Sequence, residues 1–253
     1  MPLQNRVTPW STIVAHPARY PDPTAVFGNR GCLHGVQRNL LKPHHGKMWL
    51  ACKLHVTRTR KVQRDDNRAF NGRKRILMTP RRYTELFFLD EPTAMAAGHR
   101  PCACCRRHDY ERFLECWTRA FARSEKWTAP QIDDVLHGER LAADGTKVTH
   151  TASLASLPDG VLLSLTDESE REQRSDASVG DSRGASAGED DVWLLWERRL
   201  HRWSHEGYVE HLSIGDRERW PPTRTVRVLT PPSLVRTLEV GFAPGMPHVS
   251  ARQ

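Results

Sequence analysis

Between residues 49 and 56 the chain reads WLACKLHV, and Leu50, Cys52, Leu54 and Val56 fall on one side of a period-two pattern. Ala51, Lys53 and His55 fall on the other side, which predicts a half-buried strand. RILMT and YTELFFLD predict two further strands, the second apolar on both faces. Asp90 ahead of EPTAMAA is placed to cap a short helix, with Pro92 in its first turn and Gly98 as its stop. From Tyr110 onward, Phe113, Leu114, Trp117 and Phe121 recur at helical spacing and predict an amphipathic helix. GVLLSLT and DVWLLWE predict the two arms of a β-hairpin, and TVRVL another strand. Thr230 is expected to cap a helix through PPSLVRTLEV that Gly241 ends. Strands and helices mix without a repeat, so the predicted class is α+β.

The hairpin arms are separated by residues 167–191, which carry nine acidic and three basic side chains, no aromatic and one Val. Such a composition buries too little apolar surface to offset chain entropy, so an acidic, disordered insert is expected. The whole-chain charge of +8 therefore splits into −6 on the insert and +14 on the rest. That excess points to an anionic partner, with nucleic acid first. Apolar runs are too short for a membrane span and the N-terminus lacks a secretory h-region. Six cysteines in 253 residues are too few for a disulfide scaffold, so a cytoplasmic protein using thiols for metal, or leaving them free, is expected.

Three of those cysteines sit within GHRPCACCRRHDYERF. Cys102 and Cys105 have the C-x-x-C spacing that lets two thiolates of one turn share a zinc ion, and Cys104 should project away. A closed zinc site needs four ligands, so others must come from elsewhere in the chain. The window FFLDEPTAMAAGHRPCACCRR resembles the second half of the Ada-type zinc-binding module, found in bacterial DNA methylphosphotriester repair. GNRGCLH, RYTELFFLDE and GHRPC together also resemble a group of bacterial proteins, a likeness that implies no activity. In the Ada-type module two more zinc thiolates come from an upstream C-x-x-x-C, one of them the methyl acceptor. This chain has instead Cys32 and His34 in GNRGCLHG and a solitary Cys52. The resemblance assigns Zn2+ to Cys32, Cys102 and Cys105, with His34 as fourth ligand. Cys52 is the competitor, and its strand position reads as a small buried hydrophobe; Cys116 reads as packing. The implied architecture is a small mixed sheet with short helices around a zinc knuckle over residues 1–127. A C-terminal α+β region, 128–253, is expected to pack on it.

Residues 58–82 hold ten Lys or Arg against two Asp. Arg73, Lys74 and Arg75 there, with Arg100, Arg106 and Arg107 at the knuckle, are the candidate phosphate contacts. Catalytic signals are sparse. Asp133 and His137, four apart, could form an oriented general base or a simple intrahelical pair, and His205 and Glu206 fall in an expected turn. No phosphate loop, H-E-x-x-H or G-x-S-x-G is present. The reading is a zinc-stabilised nucleic-acid-binding protein, DNA more than RNA. The alternatives are a nuclease or alkyl-acceptor repair enzyme on the same knuckle, or an interaction module with structural zinc.

Overall fold

The structure, a computed structural model, describes residues 4–16, 25–54, 77–165, 191–215, 220–221 and 223–245. Two six-stranded sheets and four α-helices make up these residues, so the class is α+β as expected. The first sheet contains β1 (Gln4–Val7), β2 (Ile13–His16), β3 (Val26–Asn29), β4 (Leu50–Lys53), β5 (Leu86–Phe88) and β6 (Arg100–Pro101), in the order β2-β1-β5-β3-β4-β6. The second contains β7 (His150–Ser153), β8 (Leu162–Ser164), β9 (Val192–Trp196), β10 (Arg199–Ser204), β11 (Gly207–Ser213) and β12 (Thr225–Val228), in the order β11-β10-β9-β8-β12-β7. The helices are α1 (Glu91–Ala96), α2 (Arg107–Ala120), α3 (Ala129–Gly138) and α4 (Pro232–Glu239).

The doubly apolar β5 pattern has a direct cause. Phe87 packs with Phe27, Leu162, Leu194, Trp203 and Tyr208 in a core between the sheets, while Leu86 and Phe88 join Val26, Ala51, Ala94 and Ala97 on the other face. Strand alternation sends successive side chains to these two cores. A third core gathers Phe113 and Trp117 of α2, Ile132 and Leu136 of α3 and Leu234 of α4 over Leu163, Trp193 and Val226. Each of these cores except the one behind β5 draws on both the 1–127 and the 128–253 regions. Two hydrogen bonds add to that joint: Trp203 Nε1 donates to Thr93 Oγ1 at 3.1 Å, and Tyr208 Oη to Asp90 Oδ2 at 2.9 Å.

Asp90 caps α1 as its sequence suggests, accepting from Thr93 N at 2.9 Å, and Gly98 follows with φ +84°. The hairpin arms also pair, Leu162 opposite Leu194. The insert between them, apart from Asp191, lies outside the described residues, as do most of the basic stretch and Arg73, Lys74 and Arg75. Three local expectations are corrected. Of RILMT, residues 77–79 form a turn in which Met78 takes φ +54° and donates its N–H to Glu85 Oε2 at 2.7 Å. Thr230 does not cap α4; its hydroxyl accepts from Leu162 N at 3.0 Å, tying the helix start to the sheet, and Pro231 takes the cap position. The fully buried side chains flanking Leu50 are Trp49, just before β4, and Ala51, and Cys52 is half-buried. No helix among the described residues is long and apolar enough to cross a membrane.

Candidate metal centre

The knuckle is built by one short parallel pairing. Leu50 of β4 lies opposite Arg100 of β6 and Ala51 opposite Pro101, and Cys102 N donates to Ala51 O at 3.0 Å. That register carries Cys52 and Cys102 forward side by side. The chain then turns tightly, with Arg106 N donating to Cys102 O at 2.9 Å, so Cys105 swings back over the same spot before α2 begins. The Sγ atoms of Cys52, Cys102 and Cys105 all lie within 4.8 Å of one another. Tetrahedral zinc with Zn–S bonds of about 2.3 Å requires sulfur–sulfur separations of roughly 3.8 Å, so little rearrangement is needed.

Backbone donors already serve these sulfurs. Cys104 N donates to Cys102 Sγ and Lys53 N to Cys105 Sγ, each at 3.4 Å. Cys102 also receives the thiols of Cys105 and Cys52, and these bonds hold it well below the ordinary thiol range. The same sharing pushes Cys52 and Cys105 up, since each is the donor towards Cys102. The cluster thus has one sulfur ready to ionise and two protons to expel when a metal supplies the charge. A cysteine triad is therefore positioned to hold a metal ion.

The structure brings Cys52 into the site and leaves Cys32 and His34 out of it. Cys32 Sγ points to His34 O at 3.7 Å, at the far end of β3. His34 is buried and uses both ring nitrogens: Nε2 faces Thr79 O at 3.1 Å and Nδ1 faces Thr84 Oγ1 at 2.6 Å. A carbonyl can only accept, so Nε2 carries the proton, and Nδ1 accepts from a threonine hydroxyl that itself accepts from Leu33 N at 2.8 Å. No lone pair remains for a metal. Cys104 is exposed and Cys116 packs in the core, as their positions suggest.

The knuckle arginines are turned mostly inward. Arg100 is 2% exposed and clamps Asp133 of α3 through Nε–Oδ1 at 2.9 Å and Nη2–Oδ2 at 2.7 Å. Arg106 bridges Glu91 at 2.7 Å and Asp109 at 2.9 Å. Burial opposes its charge, but those two carboxylates outweigh burial and hold the guanidinium above its ordinary value. Arg107 alone of the three is exposed, paired with Glu111 one helical turn on. Asp133 consequently does not orient His137; it is the counter-ion of Arg100, and α3 is thereby fastened to the knuckle. The His205–Glu206 pair forms the β10–β11 turn, where Glu206 also lies 3.5 Å from Arg6 Nη1.

No protein-family model, curated protein or solved structure matches this chain.

Proposed function

We propose that this protein is a zinc-binding protein that engages nucleic acid, DNA before RNA, with the metal as a structural staple. The observation that carries the reading is the convergence of three sulfurs from β4 and the turn before α2. Thiolate sulfur selects zinc over harder divalent ions, and an ion here would join the first sheet to α2 where the strand pairing is only two residues long. The nucleic-acid part is supported by the net charge of +8, by the exposed cations Arg38, Lys42, Arg81, Arg82 and Arg107, and by the resemblance of residues 87–107 to the Ada-type module. Arg100 and Arg106 hold the fold together and are not among the contacts.

An alkyl-acceptor enzyme is the second reading, favoured by the half-buried sulfurs of Cys52 and Cys105. Metal coordination keeps such a thiolate ionised at neutral pH. Cys32, distant from the cluster, is not its acceptor.

The test combines elemental analysis with fluorescence anisotropy of labelled duplex DNA across a salt series. One zinc per chain is expected. If about five phosphates are neutralised, log K should fall with log salt at a slope of roughly −4 to −5. Reversing Arg73, Lys74 and Arg75 to Glu should flatten that slope and leave zinc unchanged. Absence of binding at low salt removes the nucleic-acid reading, and stoichiometric alkylation of Cys52 or Cys105 by a methyl phosphotriester favours the enzyme.

A further inference from the structure

Away from the cysteines, the interior behind α3 holds an excess of positive charge. Arg30 and Arg140 are both fully buried, and their guanidinium carbons lie 3.9 and 4.7 Å from the centroid of the Trp49 ring. Arg30 donates only to neutral acceptors: His99 Nε2 at 3.2 Å, Ser11 O at 3.1 Å, Ser11 Oγ at 2.8 Å and Pro43 O at 3.5 Å. Lys147 donates to Ala96 O at 2.7 Å. Arg140 donates to Gly98 O and Lys47 O, while its Nη2 has no hydrogen-bond partner and lies 4.0 Å from an Asp133 already clamped by Arg100. Glu139, the other nearby carboxylate, is engaged by Ser233 N and Oγ. Buried charge without a counter-charge is costly, and a tryptophan face offsets only part of it.

Pro43, whose carbonyl accepts from Arg30, lines a cleft of about 480 Å³ together with His44, His137, Leu141 and Gly145. The His44 and His137 rings meet edge to face, with centroids 5.1 Å apart, and His44 lies 5.5 Å from Trp49. Nδ1 of each ring is buried without a partner. The one carboxylate on the cleft wall, Asp144, is turned into its own loop by Thr146 N at 2.9 Å and Thr146 Oγ1 at 2.7 Å.

We propose that this cleft binds a phosphate monoester or free phosphate, held by the His44 and His137 imidazoles in the field of Arg30 and Arg140. The tetrahedral oxyanion supplies the counter-charge that the described interior lacks, and two imidazolium donors give it charge-assisted hydrogen bonds. Burial lowers the pKa of both histidines. At His44 the Gly46 carbonyl opposes burial, and Arg30, Arg140 and Lys42 add to it; at His137, His44, Arg140 and Lys47 add to it and Asp134 opposes. Anion entry reverses the sign of that field, so binding is coupled to proton uptake by the pair.

Isothermal titration of the metal-loaded full chain with inorganic phosphate, a nucleoside 5′-monophosphate and sulfate tests this. All three should bind, and the monophosphate should bind more tightly than phosphate if the cleft also holds the organic portion. Equal affinity identifies free phosphate as the ligand. Sulfate, which does not titrate in this range, should bind more tightly at pH of about 6 than at about 8, and should raise the histidine pKa values read by NMR. The H44A/H137A double variant alters half-buried side chains and should weaken binding about tenfold or more while keeping its zinc. No binding by any of the three anions, or a double variant that binds them as wild type does, overturns the proposal.

Discussion

Cys102 and Cys105 are recognisable from their spacing, but Cys52 joins them in the triad only because β6 runs parallel to β4 and stops one residue short of Cys102. Replacing Cys52, Cys102 or Cys105 by Ser should each strip the metal and lower the melting temperature, because binding free energy at such a site is folding free energy. Cys32→Ser and Cys104→Ser should retain one metal per chain, as measured by elemental analysis after dialysis against a weak chelator. Loss of metal from Cys32→Ser would refute the Cys52 site. The second residue with much at stake is Asp133, which neutralises Arg100 and lies near Arg140. Asp133→Ala leaves the buried Arg100 guanidinium without its carboxylate and Arg140 with Glu139 alone, and should cost about 3–5 kcal/mol in denaturant unfolding. A cost under about 1 kcal/mol would show that water or another anion already serves these arginines.

At the scale of elements, the segment from Asp90 to Arg100 sets the geometry. Asp90 starts α1, Gly98 ends it, and β6 begins two residues later, so the length of α1 determines where the cysteines arrive. Gly98 is required twice over. Its φ of +84° disfavours any side chain, and a Cβ there would lie 2.5 Å from Arg140 Cγ. Gly98→Ala should therefore destabilise by about 1–3 kcal/mol through the backbone alone, with a further cost from displacing Arg140. The measurement is a thermal melt beside metal content. A variant that melts as wild type does would mean that Arg140 moves freely, contrary to its burial. Strand β5 shows the same economy, since three residues serve two cores and a single shift in register would exchange them.

For the whole molecule, the buried histidines set the response to acid. His99 is fully enclosed, and burial, then Arg30 and Arg140, hold its pKa well below the ordinary value. His150, His201 and His205 are lowered too, in each case chiefly by burial. A histidine depressed in the folded state leaves the unfolded chain binding more protons below about pH 6.5, so its stabilising effect is full above that pH and is lost as pH falls. His99, the most enclosed of them, should contribute the largest share of that loss. The melting temperature should fall steadily from pH of about 7 to about 5, with metal content measured alongside to separate thiolate protonation. A flat profile with metal retained would mean that these rings are protonated in the folded protein.

Local order was legible in the residues themselves. The cap at Asp90, the helix from Tyr110 onward, each apolar arm flanking the insert and the C-x-x-C turn follow from patterns within a dozen positions, where spacing and backbone preference decide. The choice between Cys32 and Cys52, the inward turn of Arg100 and Arg106, and the gathering of Arg30, Arg140 and Trp49 could not be read that way. Each depends on a partner beyond the local pattern, 15 positions away for Arg106 and Glu91 and 33 for Arg100 and Asp133. A cysteine on a strand or an arginine beside a knuckle has the same local pattern whether it faces a core, a metal or water. Only the packing of two sheets and α3 around that point determines which of the three it meets.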